Sequence, residues 1–219
     1  MKLVLDIETD GLDPTCIHVA VCKNIESGEI TSFREWDKVF FQSYLNKADQ
    51  VIMHNGISFD LPILERLWGI SFPYTKVLDT LVISQLHNPI RDGGNGLQNW
   101  GNILGFPKDE KPVSFKEFTT QMHNYCVRDV EVTEKVYHKL RSDMKGWSRR
   151  SVDLEHTVRR LMDLQTQHGF FIDQQKVHTL VASLSDESGE LEDHLVEVFE
   201  PTYKELKTKT NIIPFNPQS

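Results

Sequence analysis

Residues 2–8 open on Lys2 and are otherwise apolar except at Asp6 and Glu8, the pattern of a strand whose side chains two apart share a face. Similar runs predict strands at 17–23 and 29–34, a helix around 37–47 and a strand at 50–54. Beyond these the spacing is mostly helical, with one short strand near 76–78. Cys126, Val130, Val136 and Leu140 recur at helical intervals, and Ser114 with Glu117 has the spacing of a capping box that starts a helix just before them. Residues 152–162 read as an amphipathic helix closed by His168 and Gly169, the latter a natural C′ residue. A further helix follows, with Asp173 as its N-cap and Pro201 as its stop. Its stripe of Val177, Leu180, Val181, Leu184, Leu191, Leu195 and Val198 is most simply core packing and otherwise a partner face. The fold class is α/β, a mixed sheet flanked by helices with a C-terminal helical appendage.

Against this pattern the placement of acids stands out. Asp6 and Glu8 converge at a strand end, where two carboxylates repel unless a cation lies between them; hard oxygen ligands favour Mg²⁺ or Mn²⁺. A strand ending in a solvated acidic turn gives the same pattern, because residues 9–14 are rich in turn formers. Asp60 lies where the strand ending at His54 and Asn55 passes through a glycine turn into an apolar helix reaching Leu67; Ser58 or Asp60 also suits a helix cap there. Tyr125 and Asp129 are i and i+4 on one helical face, which is also the spacing of an ordinary surface pair.

Taken in order, Asp-x-Glu, Asn-x-x-x-Phe-Asp and Tyr-x-x-x-Asp resemble the three exonuclease motifs of the DEDD superfamily, tyrosine branch. The histidine branch fits poorly, because His123 lies one position too far from Asp129. Residues 77–86 and 96–105 extend the resemblance to the proofreading domain of phage family A DNA polymerases, in which Asp79 is a cap or scaffold acid rather than a ligand. The resemblance implies a ribonuclease-H-like fold and a two-metal 3′→5′ exonuclease with Mg²⁺ or Mn²⁺. Asp6 is then expected to bridge both ions, Glu8 and Asp129 to hold the ion that carries the nucleophilic water, and Asp60 to support the second. Tyr125 orients the water, since its ordinary pKa of about 10 makes it a poor base. The matching positions for the terminal nucleotide are Thr9, Leu12, Asn55 and Phe59; a turn leucine, a core phenylalanine and a turn asparagine are the plain alternatives.

The domains expected are an exonuclease core at 1–145 and a helical extension at 146–219 that resembles the base of a polymerase thumb. The chain ends at Ser219 without palm or fingers sequence, so no polymerisation is expected from it alone. It reads as an excised fragment or as one subunit of a split polymerase whose partner carries the rest. The implied substrate is a single-stranded or frayed DNA 3′ end, cut to nucleoside 5′-monophosphates. Two other functions fit: an RNA-trimming exonuclease, and a non-catalytic docking subunit for a polymerase.

Composition narrows this further. A net charge of −8 argues against an extended duplex-binding surface, which draws its affinity from Lys and Arg; Lys108 and Lys111 are the candidate phosphate contacts. Three cysteines without metal-ligand spacing suit reduced thiols, and no apolar run reaches the ~18 residues of a membrane helix. A cytoplasmic location is expected, that of the host if the gene belongs to a phage, and none of the nine histidines is assigned to metal.

Overall fold

The computed structural model describes residues 1–199, 201–206, 209–213 and 215–216. Five strands form one mixed sheet: β1 (Lys2–Thr9), β2 (Ile17–Asn24), β3 (Ile30–Phe33), β4 (Gln50–Met53) and β5 (Val77–Asp79). Their order is β3-β2-β1-β4-β5, so β1 is central; it pairs antiparallel with β2 and parallel with β4. That position accounts for the near-continuous apolar run of β1, since both faces are covered. Leu3, Leu5 and Ile7 pack on one side with Phe41, Leu45, Leu61 and Trp68. Val4 faces the other side, with Val19, Val21, Ile52, Cys126 and Val130. Each such side chain contributes about 1.5–3 kcal/mol on full burial. By the period of two, Asp6 and Glu8 share the Val4 face.

That face is covered by α5 (Thr120–Asp143), which buries Met122, Tyr125, Cys126, Asp129, Val130, Val136, Tyr137 and Leu140 at intervals of three and four. The other helices are α1 (Lys38–Asn46), α2 (Asp60–Ile63), α3 (Thr80–His87), α4 (Leu97–Ile103), α6 (Arg149–His168) and α7 (Gln174–Val198). Gly169 is left-handed after α6, with φ 66°, and Asp173 accepts from Lys176 N at 3.1 Å to cap α7, both as the sequence predicts.

Three expectations fail for local reasons. Ser114 accepts only from Lys116 N, and residues 111–119 are not helical; α5 starts instead at Thr119, whose hydroxyl accepts from Met122 N at 3.1 Å. Neither Ser58 nor Asp60 caps α2: Phe59 occupies the N-cap without a side-chain bond, and the helix passes at Leu64 into a π-helical turn ending at Trp68. The stripe on α7 is not core, for Val177, Leu180, Val181, Leu184, Leu191 and Val198 are exposed.

By contacts the chain divides into two compact units, Met1–His168 and Gly169–Ser219. The second holds α7 and a two-stranded hairpin, β6 (Thr202–Leu206) and β7 (Lys209–Ile213), whose side chains lie outside the described residues. Among the described residues no helix is long and apolar enough to cross a membrane.

Candidate active site

The acids of the first cluster leave the centre of the sheet at its C-terminal end. Pairing of β1 with β2 slips between Glu8 and Thr9, a bulge that ends the ladder where the acids emerge. Helix α5 meets them directly: Cys126 Sγ lies 3.4 Å from Asp6 Oδ2 and 3.5 Å from the Asp6 carbonyl. One residue before and three after Cys126, Tyr125 and Asp129 are both buried on the same stripe. Asp60 comes from the far side of β4. Asp60, the first residue of α2, is buried, and backbone amides at Asp60 and Ile7 favour its charged form while Asp6 opposes it.

Asp6 and Glu8 lie side by side, Asp129 acts on both by its charge, and Asp60 is acted on by Asp6. Burial and mutual repulsion hold their protons tightly. Burial first, then Asp129, raises Asp6 to about 7; burial, then Asp6 and Asp129, raises Glu8 to about 9. Asp60 is raised well above the carboxylate range by burial, Asp6 and Asp79. Burial lifts Asp129 to about 6 against the pull of Lys108. Lys108 Nζ forms an ion pair with Asp129 Oδ2 and lies 4.6 Å from the centre of the Tyr125 ring. Asp129 Oδ1 is buried without a partner.

This donor set suits hard divalent cations. Ligand atoms of Asp6, Glu8 and Cys126 lie within 4.8 Å of one another, a set that includes neither Asp60 nor Asp129, and Asp129 keeps one buried oxygen without a partner. Burial and the surrounding acids push the Cys126 thiol far up, so it stays protonated, donates to Asp6 and is a poor ligand. Burial raises the Tyr125 phenol above its ordinary value as well, so it remains a hydrogen-bond donor.

The positions expected to hold a nucleotide differ in character. Leu12 is 92% exposed, whereas Thr9 is buried and its hydroxyl donates to the Gly11 carbonyl at 2.8 Å. Phe59 is half-buried against the core. Asn55 has φ 66° and is the only non-glycine with a positive φ among the described residues. Gly56 follows because a Cβ there would overlap the Met53 side chain. Asp79 is a scaffold acid, as its place in the sequence suggests: it accepts from Asn55 N at 2.9 Å, Ile57 N at 3.1 Å and Leu81 N at 2.9 Å.

His54 lies between these parts and is neutral. Its Nδ1 donates to Thr80 Oγ1 at 2.8 Å, since that hydroxyl is spent on the Met53 carbonyl, and burial lowers its pKa to about 4.

Sequence reasoning missed the contribution of α6. Arg159 donates from Nε to Ser58 Oγ at 2.7 Å and from Nη2 to Asn55 Oδ1 at 3.2 Å, and Ser58 donates to Asp163 Oδ2 at 2.6 Å. The only signal for it was the helical spacing of His156, Arg159 and Asp163, which is shared by many solvated helix faces. Lys108 stands out in the sequence by its charge, but its pairing with Asp129 depends on the path of the loop after α4.

Comparison with known proteins places this arrangement in context. The RNase_H_2 family of the RNase_H superfamily matches residues 3–141. DNA-directed DNA polymerases of Enterobacteria phage T3 and Escherichia phage T7 are 28% and 27% identical to the chain; each alignment covers 92% of it and 38% of the polymerase. The chain therefore spans about two fifths of the curated relatives it matches. Among solved structures, Brucella melitensis NrnC bound to pGG is similar with a TM-score of 0.60 at 19% identity, over 78% of this chain and 89% of that one.

Proposed function

This chain belongs to the RNase_H superfamily, and from that premise we propose that it is a two-metal-ion 3′→5′ exonuclease that proofreads DNA as part of a phage-type replicative polymerase. The observation that supports this most is the convergence of Asp6, Glu8, Asp60 and Asp129, drawn from three separate stretches of chain, beside Tyr125 and Lys108. Three buried acids beside the half-buried Asp6 are a poor choice for stability alone, and the arrangement makes sense as a cage for cations.

When bound, two divalent ions supply activation of a water and stabilisation of the leaving 3′ oxygen in an in-line displacement. Asp6, Glu8, Asp60 and Asp129 would hold them. Tyr125 orients the attacking water through a hydrogen bond shared with Glu8. Lys108, already inside the site, turns from Asp129 to a phosphate oxygen as the strand enters. Exposed Leu12 wedges beside the last base, Phe59 packs against base or sugar, and the Asn55 amide with the backbone near Thr9 holds the 3′ hydroxyl. Contacts of this kind are largely neutral to sequence.

Proofreading selectivity follows from a site that accepts one strand, because a paired end must first unstack and unpair at a cost of a few kcal/mol. Residues 146–219 serve as the thumb-base extension, and the exposed apolar stripe of α7 is a surface for the polymerase portion to cover. Light scattering with and without a candidate polymerase partner tests that docking.

The test of the catalytic reading is digestion of 5′-labelled and 3′-labelled single strands with Mg²⁺, with EDTA, and with an Asp6→Ala/Glu8→Ala control. A ladder from the 5′ label, immediate release of the 3′-labelled nucleotide, and silence in both controls is expected. Endonucleolytic fragments, or activity in EDTA, overturn the reading. Mismatched primer ends should be cut faster than matched ones; equal rates remove the proofreading role and leave the nuclease. Competing DNA and RNA strands of one sequence decide the sugar, and preference for RNA overturns the assignment to replication.

A further inference from the structure

We propose that α6 is a working part of the nucleotide-holding site, with Arg159 and His156 as positioning residues that keep Asn55 in its binding conformation. The inference deepens the exonuclease reading and rests on it for the identity of the ligand.

Asn55 sits in the left-handed region, a conformation that persists in a non-glycine residue only when the surroundings hold it there. One restraint comes from Asp79, whose two carboxylate oxygens take the N–H groups of Asn55 and Ile57. The other comes from α6. The Arg159 guanidinium spans the turn, with Nε on Ser58 and Nη2 on the Asn55 side-chain carbonyl, and the Ser58 hydroxyl donates to Asp163. Asp163 in turn flanks Arg159 Nε at 3.6 Å, so donor, hydroxyl and carboxylate form a closed ring. His156 fixes the first restraint as well: its Nδ1 donates to the Val152 carbonyl at 2.8 Å, which leaves Nε2 to accept from Asp79 N at 2.8 Å.

Val152, His156, Arg159 and Asp163 lie at i, i+4, i+7 and i+11, one face of α6. With its Oδ1 held by Arg159, the Asn55 amide is oriented so that its N–H donors are the part free to meet a sugar hydroxyl. The partners of Arg159 are Ser58, Asn55 and Asp163 rather than the four acids, so loosening it releases the nucleotide contact and leaves the carboxylates in place. A lysine cannot span two acceptors as the guanidinium does, which separates positioning from simple attraction of phosphate.

The experiment uses the full chain with Arg159→Ala, Arg159→Lys and, as a milder break of the same ring, Ser58→Ala. For a single-stranded oligonucleotide, Arg159→Ala should raise KM about tenfold, the effect of one lost charged hydrogen bond, with kcat and Mn²⁺ affinity unchanged. Arg159→Lys should recover less than half of that on a logarithmic scale. Hydrogen exchange at the amides of residues 55–58 should quicken in Arg159→Ala and Ser58→Ala, with β1 and α5 unaltered. Wild-type KM in Arg159→Lys, or wild-type exchange at 55–58 in both other variants, overturns the proposal. The exchange readout needs no turnover: wild-type chain that cuts no strand while the variants show faster exchange defeats the exonuclease reading and leaves the positioning role standing.

Discussion

Lys108 Nζ lies 4.6 Å from the centre of the Tyr125 ring while ion-paired with Asp129, so one side chain touches two of the five groups in the cage. With a side chain only 14% exposed, Lys108 is the cation that offsets part of the buried negative charge. Lys108→Met should destabilise EDTA-treated protein by about 2 kcal/mol, the scale for losing a charged hydrogen bond. It should also slow hydrolysis through loss of its phosphate contact. Denaturant unfolding in EDTA and in Mn²⁺ checks the first point; equal stability of variant and wild type in EDTA argues against an internal counter-charge.

The pH dependence of stability has a definite sign. Asp6 at about 7, Glu8 at about 9 and Asp129 at about 6 all stand above ordinary carboxylate values, so the folded protein binds more protons than the unfolded chain between about pH 4 and 9. Their favourable contribution is complete below the unfolded values and is lost as pH climbs through the folded ones. The Tm of EDTA-treated protein should therefore fall from pH 5 to pH 9, and Mn²⁺ should flatten the slope by binding the ionised acids. A rising Tm over that range in EDTA contradicts the electrostatics of the cage.

Neutralising one acid should trade activity for stability. Glu8→Gln removes an acid that must take up a proton to fold at neutral pH, because burial, Asp6 and Asp129 oppose its charge, and is expected to raise stability in EDTA at pH 7 by about 1–2 kcal/mol while abolishing hydrolysis. Thermal melts and the labelled-strand assay together check this. Loss of stability would mean that Glu8 has a structural partner at the site.

Tyr125→Phe keeps the ring packed against Phe115 at 6.5 Å and removes only the hydroxyl. Hydrolysis should slow roughly 10²-fold, with Mn²⁺ affinity unchanged. Full activity would reject a water-orienting role.

Asp79→Ala should behave differently from any change in the cage. It strips the partner from three backbone N–H groups at a site 1% exposed, which should cost about 3 kcal/mol, while Mn²⁺ binding persists in the folded fraction. Loss of metal affinity in folded Asp79→Ala would make it a ligand and redraw the site.

The parts readable in the sequence were those set by short-range periodicity. The alternation around Leu3, Leu5 and Ile7 marks β1, and the three-and-four spacing through Tyr125, Cys126, Asp129 and Val130 marks α5. Their chemistry follows because Asp6 with Glu8, and Tyr125 with Asp129, each lie within one element. Whatever depends on how elements meet was hidden. The Ser114–Glu117 spacing matches a capping box, yet the segment bends at 113 and 115–117 without forming a helix, and Thr119 caps instead. Asp60 reads as a helix cap, but Phe59 holds that position and Asp60 is buried one residue further on, acted on by the charge of Asp6. Arg159 reads as a surface charge, and only the docking of α6 on the turn at 55–58 gives it partners.

The central claim, that acids from β1, α2 and α5 form one cage for paired cations at a strand end, is tested most directly by anomalous diffraction. Crystals would be grown with Mn²⁺ and a deoxynucleoside 5′-monophosphate. Two Mn²⁺ peaks about 3.5–4 Å apart are expected, with Asp6 between them, Glu8 and Asp129 on one, Asp60 beside the other, and the nucleotide sugar against Asn55. A cage without Mn²⁺, or Asp60 or Asp129 turned away from a fully occupied site, would contradict the account.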